Sequence, residues 1–283
     1  MIVYTDANLD PFQDPSNPGN LLDENRISLN NVIGEENYDI GHVFGRGNVG
    51  GLAVVAGVCD DDEKAFGATG TSSPVGDAFD LDYVTHELGH QIGGTHTFNS
   101  ACNGGSERTG ISAVEPGSGT TIMAYPGICQ PNNIQNSVDP QFHLVSINQI
   151  RTVTRSGGGS SCGVRSATSN ENPTINAGSN VVVPARTPFV LTAEGADADN
   201  DNVTYSWEQS DAGTASNINI DTGDNALIRS FPLTSNSTRF IPRLSNLFAG
   251  TNSLGELLPM TNRDVNMVVT IRDGKGGLQS DLV

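Results

Sequence analysis

Eleven residues limit what this chain can build more than any others: His86-Glu87-Leu88-Gly89-His90-Gln91-Ile92-Gly93-Gly94-Thr95-His96. They hold three of the five histidines in a chain of 283 residues. Leu81, Val84 and Leu88 share a helical face, Asp77 or Asp80 can cap its start, and Gly93-Gly94 must end it. On that helix His86 and His90 lie one turn apart on one side and can bind one ion together. Glu87 sits ~100° round from His86, within reach of a metal-bound water without being a ligand. Gly93 can take a positive φ and turn the chain back, so that His96 becomes the third ligand. Three imidazoles and a water are the donor set of an open, catalytic zinc site rather than a closed structural one. A lone histidine reads as packing or capping, as we read His42 and His143. Three at ligand spacing around a glutamate do not.

Composition narrows the partners. Fourteen basic residues face 32 acidic ones, a net charge of −18, so nucleic-acid phosphates and anionic membranes are excluded as attractive partners. The apolar share of 36%, with 33 glycines beside it, excludes wholesale disorder. The longest apolar run, Leu52–Val58, is strand-sized, so no membrane span is expected. Cys59, Cys102, Cys129 and Cys162 contain no CxxC pair. Their even number and wide spacing suggest two disulfides and an oxidising compartment, with four buried thiols as the alternative. Four cysteines allow three pairings, and spacing does not choose among them.

Along the chain, strands are expected at Ile2–Tyr4, Tyr38–Phe44 and Leu52–Val55, with a turn at Gly47–Gly51 and mostly loop over 59–78. Helices are expected over 21–33, from Asp77 or Asp80 to Gly93, and from an Asp139-Pro140 cap onward, the last burying Phe142, Val145, Ile150 and Val153. Residues 156–180 turn small and polar, the composition of a linker. Beyond it the pattern is strands only: Val181–Val183, Phe189–Ala193, Val203–Glu208, Ala226–Phe231 and Met267–Arg272. Val203, Tyr205 and Trp207 alternate with Thr204, Ser206 and Glu208, and several short strands with turns between them point to an antiparallel sandwich.

The eleven-residue stretch resembles the extended zinc signature HExxHxxGxxH of the metzincin metallopeptidases. Thr120-Thr121-Ile122-Met123-Ala124-Tyr125-Pro126-Gly127, whose methionine lies 27 residues after His96, resembles their methionine-containing turn. Leu22-Asp23-Glu24-Asn25, Tyr38 to Phe44 and the run to Cys129 look like bacterial reprolysin-like peptidases over roughly residues 2–165. The resemblance implies an α+β, zincin-like catalytic domain with a twisted mixed sheet and an active-site helix, over residues 1–165. A 166–180 linker and an all-β Ig-like or PKD-like sandwich over 181–283 would follow. It also implies a strand and a helix ahead of Ile2–Asp6, so the chain is expected to be an excerpt.

Roles follow from the resemblance and the ligand set. His86, His90 and His96 are the expected zinc ligands, Glu87 the general base and acid, and Met123 the floor beneath the imidazoles. Tyr125 is expected to hydrogen-bond the oxyanion. Leu52–Val55 would pair with an extended substrate, and Ala124 and Pro126 would shape the adjoining pocket. A Cys59–Cys162 bridge is one that reprolysin-like domains use, and Cys102–Cys129 would clamp the segment between third ligand and methionine turn. The expected activity is secreted, zinc-dependent endopeptidase cleavage of proteins or peptides. The alternatives are a silent adhesion or binding protein on the same scaffold, or a different zinc hydrolase.

Departures from the family are local. Venom-type reprolysins place Asp after the third histidine, where this chain has Thr97 and then Phe98. Tyr125, two residues after Met123, is closer to astacin, serralysin and pappalysin turns, which makes a pappalysin-like chain the second choice within the clan. Asp60-Asp61-Asp62-Glu63 reads as a solvated loop. Asp197, Asp199 and Asp201 admit a calcium ion but lack the glycine and distal glutamate of an EF-hand.

Overall fold

The first helix starts three residues before its apolar face. The computed structural model describes residues 2–6, 8–45, 47 and 49–283. In it α1 runs Pro18–Val32. The Asn17 side chain accepts from the Gly19 and Asn20 amides at 3.0 and 3.3 Å, and Pro18 occupies the first turn, where a missing N–H costs nothing. Gly34, at φ 90°, ends it, its amide returning to the Leu29 carbonyl.

Three short strands follow: β1 (Val43–Phe44), β2 (Gly50–Ala53) and β3 (Gly67–Gly70). They form a mixed sheet in the order β1-β3-β2, β1 parallel and β2 antiparallel to β3. β2 is therefore an edge strand, beginning two residues before the expected one. The expected turn at Gly47–Gly51 includes Asn48, which is outside the described residues. Residues 2–4 form no strand. The expected strand from Tyr38 shrinks to β1 because the backbone of Asp39 and Gly41 bonds to Cys59 and Lys64 instead of to a ladder. β3 lies where loop is expected, because Gly67-Ala68-Thr69-Gly70 carries no branched apolar run. It is wholly buried, and a Cβ at Gly67 would overlap the Gln91 side chain, so the position demands glycine.

The helical stretch at the signature has three parts: α2 (Asp77–Phe79), a π-helical segment Asp80–Thr85, and α3 (His86–Gln91). Neither Asp77 nor Asp80 caps through its side chain. Gly93, at φ 107°, ends α3 as expected, and Val153 would collide with any Cβ there. Val153 belongs to α4 (Leu144–Arg155). That helix begins after the expected Asp139-Pro140 cap. The Leu144 amide is taken at 2.9 Å by Glu208, a carboxylate from elsewhere in the chain, and the Val145 amide at 3.1 Å by His143 Nδ1, so a distant carboxylate and a histidine stand in for the expected aspartate cap.

The remaining strands are β4 (Thr174–Asn176), β5 (Phe189–Thr192), β6 (Glu194–Ala196), β7 (Thr204–Gln209), β8 (Thr238–Ile241), β9 (Met267–Arg272) and β10 (Leu278–Leu282). β10-β9-β7 form one antiparallel sheet, while β4 pairs with β6 and β5 with β8. Trp207 faces Val269 and Tyr205 faces Ile271 across β7 and β9. With Leu191, Leu227, Ile228, Ile241 and Met267 they make the main apolar core. Val181–Val183 is not a strand, and Val182 is fully exposed. Ala226–Phe231 keeps one bridge, Ile228 to Glu256, because Gln209 Oε1 accepts the Leu227 and Ile228 amides. A short helix, α5 (Leu244–Ala249), was not expected.

Both faces of β7 are covered. Ser206, Glu208 and Gln209 are buried, with Glu208 holding Leu144 and Gln209 holding Leu227 and Ile228. The chain has two compact units. One comprises Met1–Thr95 with Ser146–Arg165, the other His96–Val145 with Ser166–Val283. In the second, Asn99 and Ser100 donate to Thr214 and Ser216, Arg108 to Gly213, and Arg272 to Phe142.

The structure joins Cys59 to Cys162 (Cα–Cα 5.6 Å) and Cys102 to Cys129 (4.6 Å).

Candidate metal centre

Helical repeat places the first two histidines. His86 and His90 lie one turn apart on α3, both buried, their ring centroids 4.8 Å apart. The His90 Nδ1 is 2.8 Å from the Gly94 carbonyl oxygen. A carbonyl only accepts, so the proton sits on Nδ1 and Nε2 presents its lone pair. Gly94 occupies that place because Gly93 has turned the chain.

His96 obtains the same tautomer from a different source. Its Nδ1 donates to the Glu107 carbonyl at 2.6 Å, eleven residues on, and the Ser112 hydroxyl donates to its own carbonyl at 2.7 Å. Burial lowers its pKa below the ordinary histidine value, favouring the neutral ring that a metal requires. One ligand nitrogen from each of His86, His90 and His96 lies within 4.8 Å of the others. Three buried imidazoles converging at this spacing fit zinc in chemistry and number.

Glu87 is on the same helix and 7% exposed. Burial pushes its carboxyl up to about 8, and a cation held by the histidines would draw it down again. The carboxylate lies against the edge strand: a Cβ at Gly51, in β2, would overlap it. Gly51 is thus a functional position that sequence reading missed, with no signal beyond a glycine in a strand. Behind α3, Gln91 accepts from His42 Nδ1 through its Oε1 at 2.9 Å and donates through its Nε2 to the Gly41 carbonyl. His42 also meets Thr69 at 2.7 Å, so it ties helix to sheet. His143 is buried beside Glu208, and neither belongs to the cluster.

Met123 is completely buried, and its carbonyl accepts the Thr97 amide at 3.0 Å, which binds the methionine turn to the residue after the third ligand. Tyr125 is half-buried. Its ring stands edge-on to His96 at 4.6 Å and stacks on Phe98 at 4.6 Å. The Cys102–Cys129 bridge packs beside that stack.

The family model described as Metallo-peptidase family M12B Reprolysin-like matches residues 1–153. The chain belongs to this family. No curated protein and no solved structure matches. Membership in the reprolysin-like M12B metallopeptidases, with the three-histidine set, points to zinc and to peptidase chemistry.

The second acidic cluster is of a different kind. Carboxylates of Asp197, Asp199 and Asp201 come within 4.8 Å of one another. Asp197 Oδ1 already accepts the Asp199 and Asp201 amides, and Asp199 Oδ2 the Glu171 amide. This is an acidic turn held by its own backbone, and it gives calcium no further support.

Proposed function

We propose that this reprolysin-like chain is a secreted zinc endopeptidase. The observation that carries the reading is the convergence of three buried imidazole nitrogens within 4.8 Å, with Glu87 on the same helix. His86, His90 and His96 would hold the ion, which when bound would supply an acidified water and a Lewis acid for the scissile carbonyl. Glu87 takes the water's proton and delivers it to the leaving amine, a base turned acid. Its place against Gly51 puts that carboxylate beside an edge strand, where an extended peptide would add by backbone hydrogen bonds. Tyr125, edge-on to His96, donates its phenol to the oxyanion. Met123 floors the imidazoles with a polarizable apolar side chain, while Ala124 and Pro126 shape the adjoining pocket.

Two disulfides support an extracellular setting. No described helix is long and apolar enough to cross a membrane. We place the catalytic residues of the peptidase within 1–165, followed by a 166–180 linker and a β-rich Ig-like or PKD-like module over 181–283, on whose bonds to Asn99, Ser100, Arg108 and Leu144 the segment around His96 depends. The antiparallel β10-β9-β7 sheet and its core support the reading of that module.

The test is zinc content together with casein cleavage by the wild-type chain and by Glu87→Ala. One zinc per chain in both, with cleavage lost only in the variant, is the expected result. Cleavage near wild type in the variant overturns the role of Glu87. Zinc without cleavage in the wild type favours a silent scaffold.

A further inference from the structure

Glu115 is 1% exposed and no part of the zinc signature. Its carboxylate is nevertheless the most heavily used acceptor around the third ligand. Oε2 accepts the Thr97 hydroxyl at 2.7 Å and the Thr121 hydroxyl at 2.6 Å. Oε1 accepts the Thr120 and Thr121 amides at 3.0 and 3.2 Å, with the Thr120 hydroxyl beside them at 3.3 Å. Thr97 follows His96, and Thr120 and Thr121 open the turn that carries Met123. The Glu115 backbone grips the first of these segments as well. Its amide donates to the Thr97 carbonyl at 2.9 Å, and its carbonyl accepts the Asn99 amide at 2.8 Å.

We propose that Glu115 is a positioning residue: its carboxylate fixes the third-ligand segment and the methionine turn relative to each other, and so sets the aim of His96. The proposal rests on the zinc reading above. A buried carboxylate is costly unless its lone pairs are filled. Here they are filled by donors from the two segments that must be held in register. Charge-assisted bonds of this kind are shorter and about twice as strong as neutral ones, so they resist the slack that loops otherwise allow. Loss of such outer-shell partners characteristically weakens a metal site by about 10–100-fold.

The atoms also say which substitutions matter. In Glu115→Gln the remaining oxygen still accepts the two amides, which cannot reverse. The new NH2 faces hydroxyls of Thr97 and Thr121, which can reverse and accept. Glu115→Ala loses everything. Thr97→Val and Thr121→Val each cut one arm at Oε2.

The experiment measures zinc dissociation constants by chelator competition, and the visible spectrum of the cobalt-substituted protein, on full-length variants. Glu115→Ala should weaken zinc by about 10–100-fold and alter the cobalt bands, and Glu115→Gln should restore affinity to within about threefold of wild type. Thr97→Val should weaken zinc more than Thr121→Val, because Thr97 supplies the carboxylate's bond to the third-ligand segment whereas the Thr120 and Thr121 amides still hold the methionine turn at Oε1, and the double variant should be little worse than Thr97→Val alone. If Glu115→Ala does not fold, the threonine pair decides. Zinc affinity and cobalt bands unchanged in the threonine variants, with only thermal stability lowered, overturn the positioning role. A wild-type chain that binds neither metal overturns the zinc reading itself, and the proposal with it.

Discussion

α3 and the loop around His96 hold the same kind of ligand by opposite means. On α3, His86 and His90 are aligned by helical repeat, and the carbonyl that orients His90 is four residues away, at Gly94. At His96 the orienting carbonyl is Glu107, and the surrounding segment is pinned by Ser112, Glu115, Met123 and residues beyond 200. A helix carries its own geometry because each residue is bonded to the next turn. A loop has none until tertiary bonds supply it. The third ligand should therefore be the vulnerable one.

The largest effect should come from ending the chain after Arg165. That removes Thr214, Ser216, Gly213 and Glu208, which bond Asn99, Ser100, Arg108 and Leu144. The expected outcome is loss of zinc binding and of peptide cleavage, while α3 stays helical by amide exchange. Wild-type cleavage by the shortened chain would show that 96–145 holds itself and would erase the contrast.

Glu87→Gln tests the helical side by chemistry alone. Turnover should fall by about 10²–10⁴-fold with zinc content unchanged, because the residue is beside the ligands and not among them. Gly51→Ala should perturb the same carboxylate through contact. A lowered turnover with zinc retained would show that the edge strand fits closely against Glu87.

Tyr125→Phe probes the loop side without touching a ligand. Turnover should fall by about 10²–10³-fold, with KM and zinc affinity nearly constant, since the bond forms only in the transition state. A variant within twofold of wild type would leave Tyr125 as packing for His96 and Phe98.

The smallest effect is on stability and depends on pH. Burial raises the Asp221 carboxyl, but the Met260, Gly223 and Thr261 amides and the Thr261 hydroxyl outweigh it and hold the pKa at about 2, against an ordinary 3.8. A depressed carboxyl stabilises the fold above its unfolded value and loses that contribution as pH falls through the folded one. Denaturant unfolding of wild type and Asp221→Asn should differ by about 2 kcal/mol near pH 6, and the gap should close between pH 4 and 2. A gap that persists at pH 2 would assign the effect to lost packing.

Sequence alone was enough for whatever depends on near neighbours. The two ligands of α3, the glutamate between them and the stop at Gly93 are local arrangements, written in consecutive residues. The alternation of Tyr205 and Trp207 likewise identified β7 and the face that enters the core. Tertiary structure decided what depends on distant partners. Glu208 is one position of an alternating strand until Leu144 is seen donating to it, and the start of α4 depends on that distant bond. β3 is a strand of glycine, alanine and threonine because neighbouring side chains crowd it, a requirement that leaves no apolar pattern. Glu115 is one acid among 32 acidic residues until Thr97, Thr120 and Thr121 are brought to it. A side chain's role as an acceptor is fixed by the donors that surround it, and only the folded chain brings those donors together.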